Sequence, residues 1–384
     1  MEHLVNDNVK NIEISGIRKF FNMVSDYKDV VSLSIGQPDF PTPEHVKQAG
    51  IHAISRNQTI YTPNAGIFEL REAISNHVQR KYQLEYDPSA EVIVTVGASQ
   101  AIDISLRTIL SQGDEVILPG PVYPGYEPLI RLAGGKPVYV DTRPTGFKMT
   151  AEAITAAITP ATKCIILPYP SNPTGVTLSR AELEEISAII KERDLFVLCD
   201  EIYSELVYDQ EHVSLASFPE IRDKVLVVNG VSKSHSMTGW RIGYLLGPAE
   251  ITRHILKVHQ YNVSCATSIS QYAALEAIHN GGNDPEDMKK EYDKRRKYIM
   301  GRLDAMGLRY ERPGGAFYIL PEIRVEGLSS FELGVQLVKN AGLAIVPGDA
   351  FSQYGQGYMR ISYAYDMKTL AQGLDRLENF LEIF

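Results

Sequence analysis

Three cysteines and one tryptophan among 384 residues are the scarcities that say most about this chain. Cys164, Cys199 and Cys265 stand far apart in mostly apolar surroundings. That spacing excludes a disulfide framework and offers no thiolate cluster to a metal. A basic excess is missing too: 38 Lys and Arg against 47 Asp and Glu leave a net charge of −9. Binding nucleic-acid phosphates needs a basic face, so nucleic acid is not expected as a partner. No apolar run reaches the roughly 20 residues of a membrane span. The opening Met1-Glu2-His3-Leu4-Val5-Asn6-Asp7 has no basic stretch followed by an apolar one, so no secretory signal is expected. Internal repeats and low-complexity stretches are absent as well. The expected compartment is the cytoplasm, with no membrane and no metal.

What is there has the proportions of a folded protein, 44% hydrophobic and 22% charged. The length exceeds what one compact core usually holds, which predicts two domains. Apolar runs at 91–97, 115–119, 163–168, 195–200, 224–230 and 242–247 read as strands, several buried on both faces. Helical segments such as 99–110 and 180–193 lie between them, the latter with Leu183, Ile186 and Ile190 on one face. This alternation predicts a doubly wound α/β domain. Asn280-Gly281-Gly282-Asn283-Asp284-Pro285 reads as a linker. After it come a long polar helix at 286–306, strands near 316–320, 343–346 and 358–362, and a helix near 367–381. That is a smaller α+β domain. The segment before Pro38, with a helix at 12–24, fits no βαβ unit and is expected to join it. The expected division is 40–282 against 1–39 with 283–384.

Chemistry-bearing residues fall just after the predicted strands, where open α/β sheets bind ligands. Lys233, in Ser232-Lys233-Ser234, follows the apolar run Val225-Leu226-Val227-Val228, and Arg241 follows in turn. A lysine at a buried strand end tends toward its neutral, nucleophilic form, which forms Schiff bases with aldehydes such as pyridoxal phosphate. Alone, a lysine between serines is more often a solvated loop residue. Gly97-Ala98-Ser99-Gln100 opens a helix and could seat a phosphate, or Ser99 could simply cap it. Three prolines, Pro168, Pro170 and Pro173, stiffen the turn that carries Asn172. Asp200 ends a fully apolar strand and needs a partner there. A protonated pyridine nitrogen is one candidate, a helix cap or ion pair another.

Pro170-Ser171-Asn172-Pro173-Thr174-Gly175, Asp200-Glu201-Ile202-Tyr203, and Ser232-Lys233 with Gly239-Trp240-Arg241-Ile242-Gly243, in that order, resemble the class I/II aminotransferases of fold type I. The likeness extends to Gly36-Gln37-Pro38-Asp39-Phe40, Tyr61-Thr62, Pro121-Val122-Tyr123-Pro124 and Tyr358-Met359-Arg360-Ile361-Ser362, covering roughly residues 30 to 380. It implies a large domain with a mostly parallel seven-stranded sheet, a smaller α+β domain, and pyridoxal 5'-phosphate as cofactor. Lys233 would form the aldimine and then move the proton. Asp200 would pair with the ring nitrogen, while Tyr203 and Asn172 hold the phenolic oxygen. Tyr123 would stack on the ring. Ala98, Ser99, Gln100, Ser232 and Arg241 would hold the phosphate, joined by Tyr61 from a second subunit of a homodimer. Arg360, Asn172 and Gly36 would take the substrate carboxylate.

The implied activity is transfer of an amino group from an amino acid to a 2-oxo acid, with 2-oxoglutarate the expected acceptor. The chain looks most like members acting on aspartate-like, aromatic or N-acetyl-diaminopimelate donors, and closest to the last, in lysine biosynthesis. The same motifs serve β-elimination lyases. A non-catalytic sensing module is disfavoured by the presence of Lys233, Asp200 and Arg360. Neighbours are expected to be structural: His235 as a solvent or cap residue, Trp240 packing its turn, Glu201 capping or pairing, and Tyr126 and Tyr363 in the core. Side-chain contacts to substrate are expected from 14–18, 61–64 and 261–264.

Overall fold

A computed structural model of the chain describes residues 1–24 and 27–382. Its strands in chain order are β1 (Val31–Ser32), β2 (Val92–Thr95), β3 (Glu115–Gly120), β4 (Lys136–Asp141), β5 (Thr162–Leu167), β6 (Phe196–Asp200), β7 (Val225–Gly230), β8 (Gly243–Leu246), β9 (Tyr318–Ile319), β10 (Leu343–Ala344), β11 (Val346–Pro347) and β12 (Met359–Ser362). Seven of them form one sheet in the order β2-β8-β7-β6-β5-β3-β4. Only β8 runs against its neighbours; the other six point their carboxyl ends the same way. All six predicted strands of this sheet are present. The seventh, β4, was not predicted: it is a half-exposed strand at the sheet edge, with none of the fully apolar character of the interior strands.

Helices cover both faces of the sheet, and the sequence explains their ends. The helix Arg180–Lys191 starts at a capping box, in which Ser179 accepts from the Glu182 backbone N–H and Glu182 answers at Ser179. Its Leu183, Ile186 and Ile190 are buried in the core formed with Ile117, Ile165 and Val197. The opposite face buries Ile93, Ile104, Leu118, Ile166 and Leu198.

A second core is built from Leu33, Tyr203, Leu206 and residues between Met288 and Phe380. Here β11-β12-β9 form a three-stranded antiparallel sheet, and β1 pairs in parallel with β10. The predicted strand at 343–346 is thus two short strands in different sheets. The long helix starts slightly earlier than expected and spans Asp284–Ala305, while Met367–Leu381 forms the last helix. The N-terminal segment packs here: Val31 N–H donates to Gly342 O at 2.8 Å, and Phe20 is buried with Val338 and Ala344. Its helix is Gly16–Val24, four residues shorter at its start than the apolar pattern suggests. Among the described residues no helix is long and apolar enough to cross a membrane.

Arg296 shows how this second core tolerates charge. Its guanidinium is fully buried and donates to Asp209 at 2.6 and 2.8 Å, to Asp293 at 2.9 Å and to Pro313 O at 2.7 Å. Replacing it strands several acceptors at once. Arg296→Met should lower unfolding stability by about 3 kcal/mol, read as a drop in the urea midpoint; an unchanged midpoint would show that the cluster is dispensable.

Candidate active site

The carboxyl ends of β2, β3, β5, β6 and β7 open on one cavity of about 370 Å³. β7 ends at Gly230, and a single helical turn, Val231–Ser234, carries Lys233 into the cavity. Lys233 Nζ donates to Gly36 O at 2.6 Å. Burial, reinforced by the positive charges of Arg360 and Arg241 and opposed by Asp200, brings the Lys233 amine down to about 8. At neutral pH a useful fraction is therefore the neutral, nucleophilic form.

Asp200, the last residue of β6, is buried. Burial pushes its carboxyl up, while hydrogen bonds donated by Tyr126 Oη at 2.7 Å and Ile202 N at 3.2 Å act the other way. Among the described residues no arginine or lysine bridges this carboxylate. Tyr126 was expected to be a core residue. It is buried, yet it lines the cavity and contacts Asp200, because the turn at Pro124-Gly125 directs the start of its helix at β6.

The anion-seeking side of the cavity starts at Gly97. Its φ of +75° suits glycine, and a Cβ there would lie 2.4 Å from Arg241 Nη2. The helix Gly97–Ile109 begins at this point, so unpaired backbone N–H groups face the same region as the Arg241 guanidinium. Arg241 itself has φ +57°, an uncommon backbone conformation for a side chain of its size. Ala98, Ser99, Ser232 and Thr238 also line the cavity. Ser99 lies inside the first turn of its helix, whose N-cap is Val96, so it is not the cap. Gln100 does not line the cavity: its Oε1 accepts from Val96 N at 2.7 Å.

Arg360, on β12, is almost fully buried without any carboxylate partner among the described residues. One Nη donates to Asn172 Oδ1 at 2.9 Å and the other to Ser34 O at 2.6 Å; Nε is buried with no partner. The guanidinium lies over the rings of Tyr318 and Phe351, with centroids 4.4 and 4.9 Å away. A desolvated cation held in place by neutral groups, with a donor to spare, is a receptor for a carboxylate. Asn172 owes its position to the turn after β5, in which Tyr169-Pro170 and Asn172-Pro173 are cis.

The cavity thus brings together Gly36, Ala98, Ser99, Tyr123, Asn172, Asp200, Tyr203, Ser232, Lys233, Arg241 and Arg360. Tyr61 does not reach it within one chain: its side chain is 86% exposed. Sequence reasoning missed Tyr318, whose hydroxyl is 2.9 Å from that of Tyr203 and lies so close to Gly36 that a Cβ there would meet it at 2.8 Å. Its signal was the pair Gly314-Gly315 just before a short strand, which lets the chain pass close to Pro170 and Thr177. Also missed was Phe21, which covers the cavity from the N-terminal helix beside Ile17, a residue of the expected 14–18 segment. His235 is the cap of the turn Val231–Ser234 rather than a solvent residue: it is buried between Ser234 Oγ at 2.8 Å and Gly281 O at 3.2 Å. Trp240 packs its turn against Gly50 and donates to Thr42, Glu201 pairs with His212 at 3.0 Å, and Tyr363 is in the core.

Chemically, the site offers a low-pKa amine, a buried carboxylate free of cationic partners, and an anion cradle of one arginine and a helix start. That donor set fits an aldehyde bearing a basic ring nitrogen and a phosphate, which is what pyridoxal 5'-phosphate is. In the apoprotein, reaction of Lys233 with an amine-acylating reagent should rise with a midpoint near pH 8. Arg360→Met should move that midpoint upward, because it removes a neighbouring positive charge. A midpoint at the ordinary lysine value in the unsubstituted protein would contradict the electrostatics described.

The profile of the family described as aminotransferase class I and II matches residues 28–377. A Bacillus subtilis protein described as a probable N-acetyl-LL-diaminopimelate aminotransferase is 59% identical over 381 residues, covering 99% of this chain and 96% of its own. The aspartate aminotransferase of Pyrococcus abyssi is 41% identical over 381 residues, with 98% of each chain covered. Among solved structures, the aspartate aminotransferase of Thermus thermophilus with maleate superposes at a TM-score of 0.93, with 36% identity, over 98% of this chain and 99% of its own.

Proposed function

This chain belongs to the class I and II aminotransferases, and from that premise we propose that its amino donor is N-acetyl-LL-diaminopimelate and its acceptor 2-oxoglutarate. The family implies pyridoxal 5'-phosphate. When bound, that cofactor supplies the electron sink that makes the α-proton of an amino acid acidic. The observation that carries the reading is the pairing of a low-pKa lysine amine with a buried, carboxylate-free arginine across one cavity.

Each residue then has a task set by its chemistry. Lys233 Nζ would hold the cofactor at its aldehyde group and would carry the substrate α-proton as general acid and base. Asp200, aimed by Tyr126, would keep the cofactor's ring nitrogen protonated. Tyr203 and Asn172 would hydrogen-bond its phenolic oxygen, and Tyr123 would pack on its ring. Ser99, Ser232, Arg241 and the backbone N–H group of Ala98 would hold the phosphate. Arg360 grips the substrate α-carboxylate, with Asn172 and the Gly36 backbone beside it. Ile17 and Phe21 exclude water above the reacting atoms.

A second subunit completes the site in this reading. Ile60, Tyr61 and Tyr261 are 77%, 86% and 88% exposed, and Asn64 ties their two segments by donating to Ser264 O at 2.7 Å. Large exposed apolar and aromatic side chains grouped in this way suit burial against another copy of the chain. Tyr61 would then reach the neighbour's phosphate.

Lys233→Ala should cut transamination by at least about a thousandfold, followed as loss of the spectral change that an amino acid produces in the holoenzyme. Retained transamination would sink the assignment. A donor panel of N-acetyl-LL-diaminopimelate, aspartate, phenylalanine and a cysteine thioether identifies the substrate. Release of pyruvate and ammonia without an amino-form cofactor would make the protein a lyase instead. Tyr61→Phe should weaken cofactor retention, and dilution to monomers should lower specific activity. A fully active monomer would remove the shared-site reading.

A further inference from the structure

A cleft of about 1040 Å³ opens beside the cofactor cavity. The two spaces share Ile17, Phe21 and Tyr123. Ile17 and Phe21 are four residues apart on the helix Gly16–Val24 and so lie on one face of it. Together with Tyr123 they make an apolar gate between Arg360's cavity and the cleft. The cleft beyond carries charge. Lys19 is committed to Glu13 at 2.8 Å. Arg131 is committed to Glu127 at 2.8 Å, whose other oxygen accepts from Tyr139 at 2.7 Å. The Asp349 carboxylate accepts from the Phe331 backbone N–H at 3.2 Å. Arg18 alone among the cleft's cations has no carboxylate partner among the described residues.

We propose that Arg18 determines donor specificity by binding the far end of a long amino acid whose distal carboxylate stands beside an acylated, uncharged nitrogen. This rests on the aminotransferase reading above and deepens it. With the α-carboxylate on Arg360, a side chain of several methylenes leaves through the apolar gate and ends in the cleft at Arg18. A free amino acid at that end carries an ammonium and a carboxylate that cancel in charge. Acylation removes the ammonium and leaves a net anion for Arg18. Asn11, Ser15 and Ser352 line the same cleft and offer neutral hydrogen-bonding groups to the amide. The side chain of aspartate is too short to pass the gate and gains nothing from Arg18.

The test compares the holoenzyme with Arg18→Gln and Arg18→Lys on three donors: N-acetyl-LL-2,6-diaminopimelate, unacetylated LL-2,6-diaminopimelate, and norleucine, which lacks the distal carboxylate. The kcat/KM of the acetylated donor relative to norleucine should fall about tenfold in Arg18→Gln, the loss of one charge-assisted hydrogen bond. The loss should sit in KM rather than kcat, and Arg18→Lys should recover part of it. The preference for the acetylated over the unacetylated donor should shrink in parallel. An unchanged ratio, or an equal loss on all three donors, overturns the role of Arg18 alone. A wild-type enzyme that transaminates aspartate but not the acetylated donor overturns the substrate reading and Arg18's role with it.

Discussion

Three cations, Lys233, Arg241 and Arg360, border one cavity that contains a single carboxylate, Asp200. That imbalance is the constraint on which the rest depends. Burial and, after it, repulsion from the two arginines bring the Lys233 amine down to about 8, so part of it is uncharged at neutral pH. The same imbalance makes the site hungry for anions at two separated points, Arg241 at a helix start and Arg360 over two aromatic rings. A phosphate-bearing cofactor and a carboxylate-bearing substrate are the species that relieve it.

The fold bears the cost of holding such groups together. Burying uncompensated charge is unfavourable, and the surrounding sheet and helices must over-determine the positions. Six strands deliver their carboxyl ends to one edge, so residues far apart in sequence arrive on rigid supports. The second core contributes Arg360 and Tyr318 from its own antiparallel sheet. It also receives Tyr203 and Leu206, which anchor the segment just after Asp200. The site is therefore held between two packed cores, with the N-terminal helix as a cover.

Much of this was legible in the sequence. The interior strands were predicted nearly to the residue because strands buried on both faces are apolar throughout, a pattern with no competing explanation. The edge strand β4 was not, because half-exposed residues carry no such pattern. Lys233, Asp200 and Asn172 stood out because each follows an apolar strand, where a polar residue needs a reason, while Arg360 and the roles of all four came from the resemblance to the aminotransferases. Tyr126, Tyr318 and Phe21 were not, because an aromatic side chain looks the same in the sequence whether it faces a core or a cavity. His235 caps its turn as one of its two expected readings had it, but its burial was not legible, because it depends on a linker 46 residues away.

By itself the sequence determined which chemistry the chain can do. A lysine and a carboxylate after apolar strands, taken with the ordered motifs that carry Asn172, Arg241 and Arg360, pointed to one family and so to its chemistry. The tertiary structure decided the quantities: the lowered pKa of Lys233, the burial of Arg360 without a carboxylate partner among the described residues, and the position of the exposed Arg18 on the wall of a cleft. Those depend on distances between residues remote in the chain, and electrostatic energy is set by distance and burial, neither of which a sequence states.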